Sequence, residues 1–246
     1  MKYAILVKLC DYGINLKTVF TSFIRNFKSM DWYSFKKSVK IYNEKETHPY
    51  SKGLNSNFFS SISFESTEIE YLDLLHALVS SSKPKLILET GTNVGISAIA
   101  LAFALQNNHK NGGYNGHLIT IDNDKKAQNK ALKLADDLGL INYITFIENN
   151  SLNFINSYRI NTQYDFIFFD STRKVRHDEY YALHNKGLIK KGALLIFHDT
   201  CTCPVKSEVN DIVIQNKYLY ELGKIENMCN GTLKFPMSRG LTVIQY

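Results

Sequence analysis

The sequence predicts a doubly wound α/β fold: a mostly parallel, seven-stranded sheet with an antiparallel strand at its C-terminal end. Three observations predict it. Continuous apolar runs of five or six residues alternate with helix-like stretches from residue 67 to 222, as strands buried on both faces require. The run Leu86-Ile-Leu-Glu-Thr-Gly-Thr-Asn-Val-Gly-Ile-Ser97 carries an apolar strand through a two-glycine turn straight into a helix, where open α/β sheets expose backbone amides to a ligand. The last two apolar segments, Gly231–Phe235 and Leu241–Gln245, are joined by only Pro236-Met-Ser-Arg-Gly240, too short for a parallel crossover.

In chain order, residues 1–65 read as an aromatic-basic extension and linker, and residues 66–246 as the main ligand-binding domain. In the extension Val19, Phe20, Phe23, Ile24 and Phe27 recur at helical spacing, and Trp32, Phe35, Val39 and Ile41 continue the aromatic-basic character. Two readings stand: helices that pack on the main domain or on a second subunit, and basic amphipathic helices that contact a membrane surface. Ser51–Ser66 is serine- and glycine-containing linker. Thr67-Glu-Ile-Glu70 has capping-box spacing and Ile69, Leu72, His76 and Val79 share a face, predicting a helix over 67–80.

Pro84 precedes the first strand, Lys85–Glu89; the turn follows, then a helix beginning by Ala98 and running to Leu105. Asn107–His117, with Gly112, Gly113 and Gly116, reads as a polar loop before the second strand, Leu118–Asp122. Asp124–Leu138 places Ala127, Ala131, Leu134, Ala135 and Leu138 on one face and stops at Gly139. Strands follow at Tyr143–Ile147 and Tyr164–Phe169, a helix at Asp178–Ile189, a turn at Lys191-Gly192, a strand at Ala193–Phe197, and a helix-like stretch at Val205–Leu222.

At 246 residues the chain has room for one large domain and an appendage. No apolar stretch approaches the roughly 18 residues that span a bilayer, and the segment Met1–Cys10 lacks a cleavage pattern, so it reads as part of the mature protein. Cysteines at 10, 201, 203 and 229 are too few for a disulfide framework, which points to a cytoplasmic setting. Of the net charge of +6, residues 1–50 carry about +5. The main domain is thus nearly neutral, and nucleic acid is not an expected partner.

The strands end in acids or amides: Glu89, Asp122, Asn149-Asn150-Ser151, Asp170 and His198-Asp199-Thr200. A carboxylate two residues before Gly91 suits an ammonium or hydroxyl-bearing ligand better than a phosphate, and Asp122 is placed to accept from both hydroxyls of a ribose. Gly91 and Gly95 do not make the G-x-G-x-x-G of a pyrophosphate turn.

The ordered series Glu89-Thr-Gly91-Thr-Asn-Val-Gly95-Ile-Ser97, Leu118-Ile-Thr-Ile-Asp122, Phe166-Ile-Phe-Phe-Asp170, Leu194-Leu-Ile-Phe-His-Asp-Thr200 and Gly240-Leu-Thr-Val resembles the class I S-adenosylmethionine-dependent methyltransferases. Within them it is similar to O-methyltransferases of small molecules and sugars. The resemblance implies that Gly91, with Thr92 and Gly95 in the same turn, lets the backbone approach the cofactor. It further implies that Glu89 and Asp170 lie near the methionine end, that Ser97 binds the methionine carboxylate, that Asp122 holds the ribose, and that Asn150 and Ser151 flank the adenine.

It also implies that Asp170 and Asp199 could share one divalent cation such as Mg2+, although Thr200 stands where a third ligand is expected. Arg173 replaces the Lys or His common three residues after the strand-end acid, and arginine cannot serve as a base. His198 and Asp199 are therefore the base candidates, with His177 behind them. The expected reaction is methyl transfer to a hydroxyl of a small molecule or sugar, such as a surface polysaccharide or glycosylated natural product. The competing readings are N- or nucleic-acid methylation on the same fold, and binding of the cofactor without turnover. The oligomeric state is open, a homo-oligomer included.

Overall fold

The computed structural model describes residues 30–43, 58–63, 66–157, 162–201 and 209–246. The amphipathic stretch at Val19–Phe27 and most of the Ser51–Ser66 linker lie outside the described residues. Among the described residues the elements run α1 (Trp32–Ser38), β1 (Tyr42–Asn43), β2 (Ser60–Ser61), α2 (Ile69–Ser82), β3 (Leu86–Thr90), α3 (Ile96–Gly112), β4 (His117–Asp122) and α4 (Lys125–Asp137). They continue with β5 (Ile144–Glu148), α5 (Ser151–Ser157), β6 (Tyr164–Phe169), α6 (Arg176–Asn185), β7 (Ile189–His198), α7 (Val209–Asn227), β8 (Gly231–Phe235) and β9 (Leu241–Gln245).

Seven strands form one sheet in the order β5-β4-β3-β6-β7-β9-β8. The first five are parallel, and β9 pairs antiparallel with both β7 and β8. Alternate residues feed opposite faces. Ile87, Phe166, Phe168, Ile196 and Val243 join a core beneath α1–α4, while Leu88, Ile167, Phe169, Leu195, Phe197 and Ile244 join a second beneath α5–α7. Helix α3 is apolar all round from Ala98 to Leu105 because both sides are buried.

Helix α1 belongs to the first core. Trp32 and Phe35 pack against Phe103 of α3 with ring centroids 6.3 and 6.0 Å away, and the Trp32 indole donates to Asp73 of α2 at 2.6 Å.

Four local expectations are corrected. The polar run after Asn107 continues α3 to Gly112: Asn108 turns inward and donates to the Val79 carbonyl at 3.0 Å, and Gly113, at φ 69°, closes the helix. Lys191-Gly192 lies inside β7, where Gly192 at φ 82° donates to the Tyr246 carbonyl and the register with β6 shifts. Helix α6 starts at Arg176 and ends at Asn185, before Gly187 at φ 64°. The capping box does not form. Glu68 is the N-cap of α2 without a side-chain cap bond, because both Thr67 and Glu68 turn their side chains to the opposite strand ends.

The strand order changes direction between β3 and β6, which neighbour each other but are joined through β4 and β5. Ligands bind outside the carboxyl ends of strands at such a switch point. Here those ends are Thr90 and Phe169, paired in register, with the Asp170 amide donating to the Thr90 carbonyl at 2.9 Å.

Candidate active site

The opening turn is shaped by two left-handed glycines. Gly91 has φ +92°, and a Cβ there would overlap the Asp170 carbonyl and lie 2.6 Å from its carbon. Gly95 has φ +83°, and a Cβ would stand 2.5 Å from that of Ala131 in α4. Glycine at 91 thus seats the β3 and β6 ends against each other, in addition to exposing backbone. The turn, Ser66, Thr67 and Asp170 form a shallow, half-open cleft lined by Gly91, Thr92, Asn93, Val94, Gly95, Ile96 and Ser97.

Beneath the turn the Thr92 hydroxyl meets that of Thr120 at 2.6 Å, and Thr120 donates to Glu89 Oε2 at 2.5 Å. Glu89 is fully buried, and its Oε1 has no hydrogen-bond partner among the described residues. Burial pushes its pKa up to about 8, with the Ser97 and Thr120 hydroxyls pulling the other way. Ser97 is itself buried against this carboxyl rather than fully presented to a ligand.

At the far side of the turn Asp122 ends β4. Its Oδ2 accepts from the Asn93 amide at 2.7 Å and its Oδ1 from the Asp124 amide at 2.8 Å, which leaves further lone pairs for ribose hydroxyls. Asp124, not Asp122, caps α4 by accepting from Lys126 and Ala127.

The adenine expectation is corrected for the Ser151 side chain, whose hydroxyl points inward and donates to Glu179 Oε1. Glu179 also accepts from Thr90 at 2.9 Å, so this buried acid ties the β3 end to α5. Asn150 remains exposed, with Oδ1 accepting from the Asn153 amide at 3.1 Å.

The three residues expected to do chemistry do come together. One ligand atom each from Asp170, His198 and Asp199 lie within 4.8 Å of one another. Their surroundings, however, were not legible in the sequence. His198 is buried, with Nδ1 2.8 Å from Asp170 Oδ1 and Nε2 2.7 Å from Glu68 Oε2. Burial opposes its charge, but Asp170, Asp199 and Glu68 outweigh that and raise its pKa to about 10. Glu68 is buried too; its pKa is lowered to about 2, the burial penalty being overcome by Arg239 and His198. Both ring nitrogens of His198 are thus engaged with carboxylates, an arrangement that does not suit the expected role as a base. His177 is buried and turned toward Asp178, 3.5 Å away.

Asp199 follows β7 in a left-handed conformation, φ 56°, that returns its carboxylate over α6. There Arg176 Nη2 reaches Asp199 Oδ2 at 2.9 Å and Asp170 Oδ1 at 3.2 Å. Its Nε donates to the Ser171 carbonyl at 2.8 Å and its Nη1 to the His198 carbonyl at 2.5 Å. The Tyr218 ring lies under the guanidinium at 5.5 Å. Arg239, in the turn between β8 and β9, donates from its backbone to Glu68 Oε1 at 3.0 Å and holds Oε2 and the Ser66 carbonyl with Nη2. The Asp199 carboxyl is held well below the usual range: burial opposes this, and His198, Arg176, Arg239 and Arg173 prevail. Asp170 Oδ2 accepts from Thr67 at 2.8 Å.

The point between Asp170 and Asp199, where the expected cation would sit, is taken by the Arg176 guanidinium, and the arrangement does not suit the expected metal role. Both Asp170 oxygens and the inner Asp199 oxygen already accept hydrogen bonds from protein. Both His198 ring nitrogens are engaged by Asp170 and Glu68, and the Thr200 hydroxyl is taken by Thr242 at 2.9 Å. Three acids, Glu68, Asp170 and Asp199, face three cations, Arg176, Arg239 and His198. Arg176 and Glu68 were missed; Arg176 left one signal, a basic residue six positions beyond a strand-end acid at the start of the next helix.

The fold is similar to that of solved methyltransferases. Residues 88–200 match a family described as "Methyltransferase domain". The chain is 26% identical over 153 residues to a caffeoyl-CoA O-methyltransferase from Stellaria longipes, a match covering 58% of this chain and 59% of that enzyme's length. The O-methyltransferase TomG from Streptomyces achromogenes, solved in complex with SAM, superposes with a TM-score of 0.60 at 16% identity, covering 90% of this chain and 97% of that one. An O-methyltransferase from Bacillus cereus in complex with SAH gives 0.59 at 19% identity, with 74% and 82% covered. Among the described residues no helix is long and apolar enough to cross a membrane.

Proposed function

We propose that this chain binds S-adenosylmethionine and transfers its methyl group to a hydroxyl of a small molecule or sugar. The observation that carries the reading is the cleft at the switch point, bounded by Gly91–Ser97 and by Asp170. Beside the turn that lines it, Glu89 keeps a buried oxygen without a hydrogen-bond partner among the described residues, and Asp122 accepts from the Asn93 amide of that turn. Glu89 and Asp170 suit a ligand ammonium, and Asp122 suits a ribose.

In the transfer the methyl carbon's bond to sulfur breaks as its bond to the acceptor oxygen forms; sulfur keeps the electron pair and the hydroxyl proton departs. The protein's part is alignment and exclusion of water. The hydroxyl becomes strongly acidic as its oxygen gains the methyl, so a weakly basic carboxylate suffices to take the proton late. Asp199, with 22% of its side chain exposed, is the group assigned to it. Arg173 makes no ion pair among the described residues, only a 2.8 Å bond to Gln215, and lies close enough to Asp199 to stabilise its charge. That cation beside the strand ends supports an acidic or sugar-like acceptor.

The test is calorimetric titration with S-adenosylmethionine and with NAD, followed by assay of S-adenosylhomocysteine formation against phenolic, carboxylate-bearing and sugar acceptors. Heat with the first ligand and turnover with an acceptor support the reading. Heat with NAD alone overturns it.

A further inference from the structure

We propose that Arg176 holds the place of a divalent cation at the strand ends, so that Asp170 and Asp199 are bridged and neutralised by a guanidinium. The charge and the donors lead to the same conclusion. Hard divalent cations take carboxylate oxygens, and here two carboxylates ending adjacent parallel strands turn one oxygen each to a shared point. Here that shared point is Arg176 Nη2, 2.9 Å from one carboxylate and 3.2 Å from the other.

The guanidinium cannot simply step aside. Its other nitrogens are bound to the Ser171 and His198 carbonyls, its face rests on Tyr218, and the residue is 2% exposed. Tyr218 in turn donates to the same His198 carbonyl at 2.8 Å. A planar fork with several fixed donors fits this role, whereas a lysine would offer only a point charge. The carboxylate oxygens that face this point are held by protein donors as well, Asp170 Oδ1 by Arg176 and His198 and Asp199 Oδ2 by Arg176. Arg176 is thus a positioning residue: it sets both carboxylates from behind, while the second Asp199 oxygen lies 3.7 Å from Arg239 Nη1. As far as turnover is concerned, the inference rests on the methyl-transfer reading and predicts activity indifferent to chelation; its cation-binding test stands independently.

The test measures bound Mn2+ by electron paramagnetic resonance and equilibrium dialysis, with thermal unfolding in Mn2+ and in EDTA. For the unaltered chain we expect no saturable binding up to millimolar Mn2+ and the same unfolding midpoint in both. For Arg176→Met we expect saturable Mn2+ binding, a midpoint raised by Mn2+, and loss of both when Asp170→Asn is added. Saturable binding by the unaltered chain that Asp170→Asn abolishes would overturn the proposal, as would a folded Arg176→Met chain that gains no Mn2+ binding. If Arg176→Met does not fold, the unaltered chain and its Asp170→Asn variant decide alone. Titration with S-adenosylmethionine on the same samples reports separately on the proposed activity.

Discussion

Glu68→Gln removes one charge and changes almost no volume, so it isolates what the buried cluster contributes. Glu68 is fully buried and accepts from His198 Nε2 at 2.7 Å, from the Arg239 amide at 3.0 Å and from Arg239 Nη2 at 3.1 Å. Removing one partner of a buried ion pair leaves the other charges uncompensated and costs about 3–5 kcal/mol. For a chain of this size each kcal/mol moves the unfolding midpoint by about 2–4 °C, so a fall of about 6–20 °C is expected.

The loss should depend on pH with a definite sign. Glu68 has its folded pKa lowered from 4.5 to about 2, so its contribution is complete above pH 4.5 and disappears as pH falls through about 2. His198 has its folded pKa raised from 6.5 to about 10, so its contribution is complete below pH 6.5 and disappears as pH rises through about 10. The difference between the two chains is therefore greatest between pH 4.5 and 6.5 and shrinks on both sides. Urea unfolding across this range, with unchanged denaturant slope, is the assay. A difference below about 1 kcal/mol, within the range of an exposed ion pair, or one that is flat with pH, would refute the account of a charged His198 between two acids.

Three further outcomes are expected. Gly91→Ala should destabilise the fold by about 2–5 kcal/mol, combining left-handed strain and overlap with the Asp170 carbonyl, and should abolish cofactor binding; an unchanged unfolding midpoint with retained binding would contradict it. Asp122→Ala should weaken S-adenosylmethionine binding about 10- to 100-fold through lost charged hydrogen bonds, whereas Asp199→Ala should leave binding largely intact and lower turnover; the reverse pattern would mean the ribose and reacting ends are exchanged. Because burial raises Glu89 to about 8, it is protonated at neutral pH, and a cationic ligand beside it should expel that proton. Calorimetry in buffers of different ionisation enthalpy should show proton release at pH 7 that vanishes in Glu89→Gln; no buffer dependence would place the cation elsewhere.

What the sequence determined by itself was periodic and local. Apolar runs located the parallel strands, and β6, β8 and β9 have the expected bounds. Glycine spacing located the turn at Gly91 and Gly95, and the acids at strand ends brought Asp170, His198 and Asp199 to one edge of the sheet. These features follow from chain geometry over a few residues, which composition and spacing record.

What only the tertiary structure decided was the partner of each polar group. Thr67 and Glu68 read as a helix cap, yet Thr67 bonds Asp170 and Glu68 bonds His198, 103 and 130 residues away. Ser151 turns to Glu179 rather than outward, and Arg176 takes the point between two acids that the sequence alone left open to a metal. A buried charge adopts whichever opposite charge the fold brings within reach, and that choice is made by approach of distant segments. The strand-end acids thus pointed to one polar cluster, while packing set a guanidinium between two of them and engaged both nitrogens of its histidine.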